Sequence, residues 1–443
     1  MTTRSDGSLR LTCAAAAATL AVAAYVAEGR IDLRVQGALG AVCLVLAVAT
    51  CSANLRAVSW RTVAWGIALQ LALAFIILGL EIGGVRPGYE FFRAIAGGVT
   101  QFLAFTNAGS RFVFGDLANQ DVLREVLPPT GFIFAFTALP ALIFVAAFFT
   151  LLYHLGVLQL VVAVMARVMM FVMRTSGAET LSAAANVFMG HTEAPIIVKP
   201  FLPGMTRSEL LAVMTGGLAT ISGGMMAVYI SLGADPVAIL TTSVMAAPCG
   251  LYLSKILLPE TEQPATLGRV TVAVERTHVN AVDAIAAGAS DGLKLALNVA
   301  AMLIAFLAFL AMADYLLGLA YEGLTLARVL AVLFGPVALL IGVPRSDVPA
   351  IADLLGTKLV ANELVAFVRL TTTYAGVVSE RSHVLATYAL TGFANVGSIG
   401  MLLGGLGGMA PARRGDLARL AGRALLAGFA ATLINAAVAA MLL

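Results

Sequence analysis

Residues 186–200 read NVFMGHTEAPIIVKP. Apolar sequence flanks it on both sides, yet it brings together an amide, an imidazole and a carboxylate at Asn186, His191 and Glu193. Pro195 follows at once, and proline interrupts a helix because it lacks a backbone donor. We therefore expect the chain to turn here and the polar cluster to serve a function.

The composition is that of a membrane protein. The chain has 443 residues, of which 60% are hydrophobic and 12% charged, and its mean hydropathy is +0.96. Soluble domains carry about 25% charged residues. Apolar runs of the length that crosses a bilayer, roughly 17–25 residues, recur at residues 62–80, 132–152, 295–312 and 425–443. The sequence predicts an all-α polytopic membrane protein.

Charged residues and the N-terminal segment bear on partners and topology. The net charge of +3 is too small to indicate nucleic acid as a partner. Arg30, Arg34, Arg56 and Arg61 lie on successive loops, so the positive-inside rule leaves the membrane orientation open. Residues 1–25 have a basic start and an alanine-rich apolar run, as signal peptides do. Because further spans follow at once, we favour a retained first membrane helix.

The segments around the opening stretch are too short to cross a bilayer. Between residues 178 and 208 polar residues and prolines interrupt the apolar pattern repeatedly, which predicts a broken hairpin. Residues 210–233 are apolar but interrupted at Gly216–Gly217 and again at residues 220–224. Glycine pairs beside hydroxyls indicate a helix break in a membrane, where the freed carbonyls need partners.

The same order occurs a second time. Residues 336–367 are broken by Pro344 and Pro349 and carry Glu363 near their end, and residues 386–408 form a helix interrupted by glycine, asparagine and serine. Two corresponding interrupted segments are the best sequence indication of the binding site of a transporter built from inverted repeats. We predict about eight transmembrane helices, two re-entrant hairpins and interfacial helices.

Two carboxylates mark the predicted site. An ionised carboxylate at membrane depth costs about 2.5–3.5 kcal/mol or more unless it meets a partner or water. Glu193 and Glu363 are therefore interpreted as functional, and the alternative is that each makes an interhelical hydrogen bond that holds the bundle together. Together with Asn186 and Asn395 they suit a small polar solute without a large charge.

Basic side chains are not evident in these clusters. Lys199 and Lys358 are near in sequence, and we interpret both as snorkelling to an interface. That disfavours nucleotides, sugar phosphates and organic acids as solutes. A polyhydroxylated ring that carries a heterocycle would fit, since carboxylates accept paired hydrogen bonds from neighbouring hydroxyls.

Hydroxyl groups beside the predicted breaks suit a cation. Thr192, Thr220 and Ser222 could combine with unwound backbone carbonyls to hold a dehydrated Na⁺, a hard ion that takes oxygen ligands. The alternative is that each hydroxyl bonds back to the preceding helical turn.

Four segments carry a resemblance to a known family. They are SRFVFG (residues 110–115), GHTEAPIIVKPFLPGMTRSELLAVMTGGLATISGG (190–224), NELVAF (362–367) and GFANVGSIGMLLGGLGGMAPARRGDLARL (392–420). Together they resemble the signature segments of the concentrative nucleoside transporters, and the resemblance runs from about Gln36 to the C-terminus. It implies a multi-pass cell-membrane protein, in a bacterium the inner membrane.

The resemblance also implies an assembly and a mechanism. We expect a homotrimer in the lipid bilayer, each protomer with a scaffold and a mobile transport domain. The protein would import nucleosides by alternating access, with Na⁺ as the coupling ion and no organic cofactor. H⁺ coupling is the alternative, and an intramembrane enzyme using Glu193 and His191 or a passive channel are more remote ones.

Site residues follow from the matched motifs. The nucleoside is expected to contact His191, Thr192, Glu193, Met225, Glu363, Phe393, Asn395 and Ser398, with the first hairpin toward the base and Glu363 on the ribose. Na⁺ is expected at Asn186, Met189, Thr192, Thr220 and Ile221, with Met189 and Ile221 contributing backbone carbonyls. His191 stands where the family usually has glutamine, so we hypothesise an altered base preference. Thr220 stands where serine is frequent.

The predicted domain organisation has five parts. They are N-terminal transmembrane helices (1–83), an amphipathic interfacial helix with the following spans (84–175), the first re-entrant hairpin with its unwound helix as base and ion site (176–260), an interfacial segment with a scaffold helix (261–335), and the second re-entrant hairpin with its unwound helix as ribose site and the last span (336–443).

Overall fold

The computed structural model describes residues 3–27, 29–126, 133–191, 193–268 and 278–443. Those residues are organised as helices, and their only extended pairings are two isolated bridges, Ile82–Val85 and Ser176–Leu267. The all-α fold predicted from the sequence is confirmed. Thr192, which belongs to both predicted sites, lies outside the described residues.

Twenty-one α-helices are found in the described residues. They are α1 (Thr3–Val26), α2 (Leu33–Thr50), α3 (Trp60–Ala74), α4 (Pro87–Ala104), α5 (Thr106–Phe114), α6 (Gln120–Val126), α7 (Phe134–Thr137), α8 (Leu139–His154), α9 (Val157–Met173), α10 (Gly177–Ala185), α11 (Ala194–Val198), α12 (Arg207–Ala219), α13 (Gly223–Ser231), α14 (Pro236–Leu257), α15 (Ala281–Ala320), α16 (Leu326–Leu340), α17 (Val348–Val360), α18 (Glu363–Thr371), α19 (Glu380–Leu390), α20 (Val396–Met409) and α21 (Arg414–Leu442).

Eight helical segments of the described chain are long and apolar enough to span a bilayer, in agreement with the predicted number. They are Gly7–Val26, Leu33–Thr50, Trp60–Gly79, Phe134–His154, Arg207–Ser231, Pro236–Leu257, Ala281–Ala320 and Pro411–Leu442. The predicted amphipathic segment at residues 88–117 is helical as α4 and α5. Its position in the membrane interface stays a prediction.

The first interrupted region folds as a hairpin followed by a broken helix. Helices α10 and α11 form hairpin 1, and its tip includes residues 186–191 and 193. Helices α12 and α13 form broken helix 1, whose break is extended at Thr220, with φ −124° and ψ 175°. Ser222 restarts the helix, because its side chain accepts a hydrogen bond from the backbone N–H of Met225.

The second region repeats this arrangement. Helices α17 and α18 form hairpin 2 with its tip at residues 361–362, and α19 and α20 form broken helix 2 with its break at residues 391–395. The two breaks cross each other, since the Phe393 N–H donates to the Thr220 carbonyl at 3.1 Å. Gly392 permits the close approach to α21, because a Cβ there would lie 2.5 Å from Thr432 Cγ2. The predicted order of hairpin and broken helix therefore occurs twice.

Two details differ from the sequence expectation. Gly216 and Gly217 do not interrupt α12, and their missing side chains instead make room for hairpin 1: a Cβ on Gly217 would lie 2.7 Å from His191 Cβ. Hairpin 2 begins at Val348 and not near residue 336, which lies inside α16. Pro349 is tolerated in the first turn of α17, where a backbone N–H has no helical partner to lose.

Ion pairs bind each hairpin away from its tip. In hairpin 1, Glu179 meets Lys255 of α14 at 2.6 Å, and both side chains are buried. In hairpin 2, Asp353 of α17 meets Arg369 of α18 at 2.8 Å. Removing one member of a buried pair leaves an uncompensated charge, so these contacts hold each hairpin in one arrangement.

Candidate functional site

A small cavity lies where the hairpin tips meet the two breaks. Its volume is about 140 Å³. It is lined by the seven described residues that were predicted to contact the solute, namely His191, Glu193, Met225, Glu363, Phe393, Asn395 and Ser398. Side chains of the long helix α15 close it with an apolar wall of Leu295, Val299 and Met302. We call this space the inner cavity.

The tip of hairpin 1 is shaped by its glycine and its carboxylate. The Gly190 N–H donates to Glu193 Oε2 at 3.2 Å, which curls the tip back on itself. A Cβ on Gly190 would lie 3.1 Å from Ser222 Cβ, and the Gly223 N–H donates to the Phe188 carbonyl at 2.9 Å. The tip therefore packs directly on the break of broken helix 1.

His191 faces the inner cavity from this tip. It is 6% exposed, and its ring packs edge-on against Phe393, with the centroids 4.7 Å apart. Neither ring nitrogen has a hydrogen-bond partner among the described residues. Since buried polar groups are nearly always paired, the two nitrogens are available for a bound solute.

Glu363 is oriented by groups from both broken helices. Its Oε1 accepts from the Tyr229 hydroxyl at 3.0 Å, and its Oε2 accepts from Asn395 Nδ2 at 2.7 Å. The Tyr229 ring is stacked on Phe367, with the centroids 4.2 Å apart. Each carboxylate oxygen keeps a further lone pair, so Glu363 can accept hydrogen bonds from a solute while its position is held.

Asn395 and Ser398 complete the second side of the cavity. Asn395 Oδ1 caps α20 by accepting the Ser398 N–H at 2.8 Å, while its amide nitrogen bonds Glu363. The Ser398 hydroxyl is buried and has no partner in the described part of the chain. The first turn of α20 thus presents one hydroxyl, that of Ser398, which is free among the described residues to bind a solute.

Two of the five predicted cation residues, Asn186 and Thr220, lie beside the end of α12. Asn186 is fully buried; its Nδ2 donates to the Ser182 carbonyl at 2.9 Å, and its Oδ1 is without a partner within the described ranges. The Thr220 hydroxyl donates to the Gly216 carbonyl at 2.9 Å, and a Cβ on Gly216 would lie 3.1 Å from Asn186 Nδ2. Asn186 and Thr220 therefore adjoin the same turn, with oxygen lone pairs left over for a hard cation.

The hydroxyls of Thr220 and Ser222 both have hydrogen-bond partners on the backbone. Thr220 makes the bond to the preceding turn that was the alternative to ion binding, whereas Ser222 caps α13. Met189 and Ile221 are buried in the segments that follow Asn186 and Thr220. The use of their carbonyls stays a prediction.

A larger cavity adjoins the inner one. Its volume is about 640 Å³, and it shares Glu193, Ser222 and Leu295 with the inner cavity. Charged or titratable side chains at Lys199, His278 and Asp291 also line it. We call it the outer cavity. It places Glu193 at the boundary between an enclosed site and a wider, more polar space.

Two residues of the site region were missed or misread in the sequence. Tyr229 carries no motif signal, although it lies one helical turn after Met225 and so on the same face of α13. Lys358 does not snorkel to an interface, since it is fully buried and bonds the Ala389 carbonyl at 2.7 Å. Lys199, by contrast, is exposed and lines the outer cavity.

Three family models match the chain in sequence order. Residues 39–117 match the N-terminus and residues 238–440 the C-terminus of the family described as Na⁺ dependent nucleoside transporter. Residues 135–236 match a domain named Gate and described as nucleoside recognition.

Curated relatives share about two fifths of their aligned residues with the chain. The sodium/nucleoside cotransporter 1 of Mus musculus is 41% identical over 409 residues, covering 87% of this chain and 60% of that protein. An uncharacterized transporter of Haemophilus influenzae is 40% identical over 413 residues, covering 91% of this chain and 96% of that protein. The chain thus spans about 60% of the length of the mouse relative and nearly all of the bacterial one.

Solved structures share the fold at similar identity. CNTnw in an inward-facing substrate-bound state is 37% identical with a TM-score of 0.88, covering 93% of this chain and 98% of that chain. A doubly substituted CNTnw in an outward-facing state is 36% identical with a TM-score of 0.86, again covering 93% and 98%.

Proposed function

Because this chain belongs to the concentrative nucleoside transporter family, we propose that it is a secondary active transporter that imports nucleosides together with Na⁺. The observation that carries the proposal is the inner cavity, where Glu193 of hairpin 1 and Glu363 of hairpin 2 line one space. The relatives named cotransporters support transport over the enzyme and channel alternatives.

Glu363 is proposed to bind the ribose. Tyr229 and Asn395 hold its carboxylate in place and leave a lone pair on each oxygen. Neighbouring hydroxyls of a ribose can donate to the two oxygens of one carboxylate, and such charge-assisted bonds are strong. Ser398, whose hydroxyl has no partner in the described structure, adds a donor or an acceptor beside it.

His191, Glu193 and Phe393 are proposed to bind the base, with Met225 beside them. A neutral imidazole offers one donor and one acceptor, and both nitrogens of His191 are free among the described residues. Phe393 supplies an aromatic ring against which a base can pack. Thr192, outside the described residues, is assigned to the base and to the ion by its motif alone.

Na⁺ is proposed to travel as a second substrate at the tip of hairpin 1. Asn186 Oδ1, buried with no partner in the ranges described, is an acceptor that a cation would satisfy. Thr220 adds a hydroxyl oxygen, and Met189, Thr192 and Ile221 complete the proposed ligand set. All are oxygen ligands, which a hard cation prefers. Ion binding would then order the tip that carries His191 and Glu193.

The small size of the inner cavity supports alternating access. Sites for drug-sized ligands measure roughly 300–1,000 Å³, so an inner cavity of about 140 Å³ needs movement of a hairpin to admit a nucleoside. The outer cavity reaches it at Glu193. We propose that a transport domain built from the hairpins and broken helices moves against a scaffold that includes α15.

A homotrimer in the cell membrane, in a bacterium the inner membrane, is proposed for the assembly. Exposed apolar side chains along α15, including Leu297, Ile304, Phe309 and Leu316, form a surface that lipid and neighbouring protomers would cover. Native mass spectrometry from detergent is expected to give three chains per particle. A monomer under conditions that retain transport would contradict this assembly.

Uptake of labelled uridine into proteoliposomes tests the proposed function. We expect accumulation above the external concentration when a Na⁺ gradient is imposed, and none when K⁺ replaces Na⁺ or the gradient is collapsed. Asn186→Ala should lose the dependence on Na⁺. Accumulation driven by a pH gradient alone would support H⁺ coupling instead, and equilibration without accumulation would indicate a channel.

A further inference from the structure

Lys358 is a fully buried cation that the proposed nucleoside site does not use. It lies in the last turn of α17, and its Nζ donates to the Ala389 carbonyl at 2.7 Å and to Thr432 Oγ1 at 2.8 Å. The ammonium also lies 5.3 Å from the centroid of the Phe429 ring. One side chain thus joins hairpin 2, broken helix 2 and α21.

The partners of this ammonium are those that a bound cation would have. Ala389 is in the last turn of α19, where carbonyls have lost their helical partners and the helix dipole favours positive charge. Glu363, at the start of α18 in the same hairpin, carries the opposite charge. A buried charge persists in a membrane protein only with such compensation.

Hairpin 1 makes a corresponding contact, in which the side chain offers an acceptor in place of a cation. Asn186 directly follows α10, and its amide lies against Gly216 in the last turn of α12. In each half, a polar side chain from the end of the first hairpin helix meets the last turn before the break. In the first half that side chain has an acceptor, Asn186 Oδ1, with no partner in the described chain. In the second half it is an ammonium with its acceptors in place.

We propose that the Lys358 ammonium is a built-in cation that occupies, in the second half, the position that a mobile Na⁺ takes in the first. Hairpin 2 and broken helix 2 then stay joined without an ion, and only the contact between hairpin 1 and broken helix 1 depends on Na⁺. The inference rests on the proposed Na⁺ coupling. With Lys358 in this role, one Na⁺ site per nucleoside site is sufficient for coupling.

The role of Lys358 can be tested by removing its side chain and then supplying the missing ammonium as a small molecule. Lys358→Ala removes a fragment that n-propylammonium matches in size and charge, and n-propanol matches it in size alone. Lys358→Met fills the space without charge, and the exposed Lys294→Ala is the control for unspecific effects of the amine. Uridine uptake in proteoliposomes and the melting temperature in detergent are measured for each variant with and without either compound.

We expect Lys358→Ala and Lys358→Met to lower uptake about tenfold or more, the scale set by loss of a charged hydrogen bond. Propylammonium should raise uptake and melting temperature of Lys358→Ala only, and propanol should not. The Na⁺ activation curve of the wild type should have a Hill coefficient of about 1, as one site requires.

Any of four results would overturn the inference. They are equal rescue by propanol, no gain from propylammonium in either uptake or melting temperature, undiminished transport by Lys358→Met, and a sigmoidal Na⁺ activation curve for the wild type. Wild-type uptake that does not depend on Na⁺ would instead overturn the proposed function. The melting temperatures of Lys358→Ala with propylammonium and with propanol would still test the role of Lys358 in that case.

Discussion

At the level of single residues, Glu363 is the side chain on which solute recognition most depends. It accepts hydrogen bonds from Tyr229 and Asn395 and lines the inner cavity. Glu363→Gln keeps the shape but replaces one acceptor oxygen by a donor, so we expect uridine uptake and equilibrium binding to be abolished. Scintillation proximity binding of labelled uridine measures this directly.

Tyr229→Phe is expected to weaken the ribose binding that Glu363→Gln abolishes. It removes one hydrogen bond to the carboxylate and leaves the ring stacked on Phe367, so affinity for uridine should fall about tenfold, near 1.5 kcal/mol. Adenosine and uridine should lose the same factor, because the ribose is common to both. Uridine transport by Glu363→Gln at the wild-type rate would contradict the ribose assignment.

His191 should affect the choice of base. Glutamine offers a donor and an acceptor from one end of its side chain, whereas imidazole separates them on opposite sides of the ring. We expect His191→Gln to change the order in which uridine, cytidine, adenosine and guanosine compete for uptake. Competition curves for the four nucleosides at two pH values provide the test, and an unchanged order would refute the idea.

At the level of elements, the packing of hairpin 1 on α12 depends on Gly217. A Cβ at Gly217 would lie 2.7 Å from His191 Cβ, so Gly217→Ala should displace the tip and reduce uridine affinity several-fold. Alanine otherwise favours a helix by up to about 1 kcal/mol. Gly98→Ala in α4 meets nothing within 4 Å and is the matched control. Isothermal titration with uridine measures both, and equal affinities would contradict the contact.

The buried pair in hairpin 2 should govern stability. Arg369→Met leaves Asp353, whose side chain is 1% exposed, without its cation. We expect a loss of roughly 2–3 kcal/mol, somewhat below the usual cost of an orphaned buried charge, because Tyr374 still bonds Asp353 at 2.8 Å. Thermal unfolding in detergent measures it.

Lys294→Met is the control for this stability prediction. It breaks an ion pair of the same kind, Lys294 with Asp291 at 3.0 Å, in which both side chains are about 70% exposed. Exposed pairs contribute roughly 0–1 kcal/mol, so its melting temperature should hardly change. Equal losses in the two variants would mean that burial does not set the strength of these pairs.

The sequence predicts the existence of the hairpins and broken helices better than the residues at which they begin and end. Proline and polar clusters located both hairpins, because a helix in a membrane cannot leave its backbone unpaired without such compensation. Gly216 and Gly217 do not break α12, and the sequence does not reveal that hairpin 1 packs against them. The start of hairpin 2 was misplaced because α16 accommodates Pro336.

At the level of the whole molecule, the site depends on contacts that no local pattern contains. The seven described residues predicted for the solute do line one cavity, yet their convergence rests on the crossing of the breaks at Thr220 and Phe393. Tyr229 and the apolar wall from α15 gave no sequence signal, because apolar and aromatic residues are common throughout a membrane protein. The assignment of the chain to scaffold and transport domains stays a prediction.

Hairpin 1 is proposed to hold the base, and hairpin 2 the ribose, of one nucleoside in the inner cavity. A crystal structure with 5-bromouridine tests it most directly, because the anomalous signal of bromine locates the base. We expect one bromine peak per protomer beside His191 and Glu193, with the ribose within hydrogen-bonding distance of Glu363. A peak beside Glu363, or one confined to the outer cavity, would contradict it.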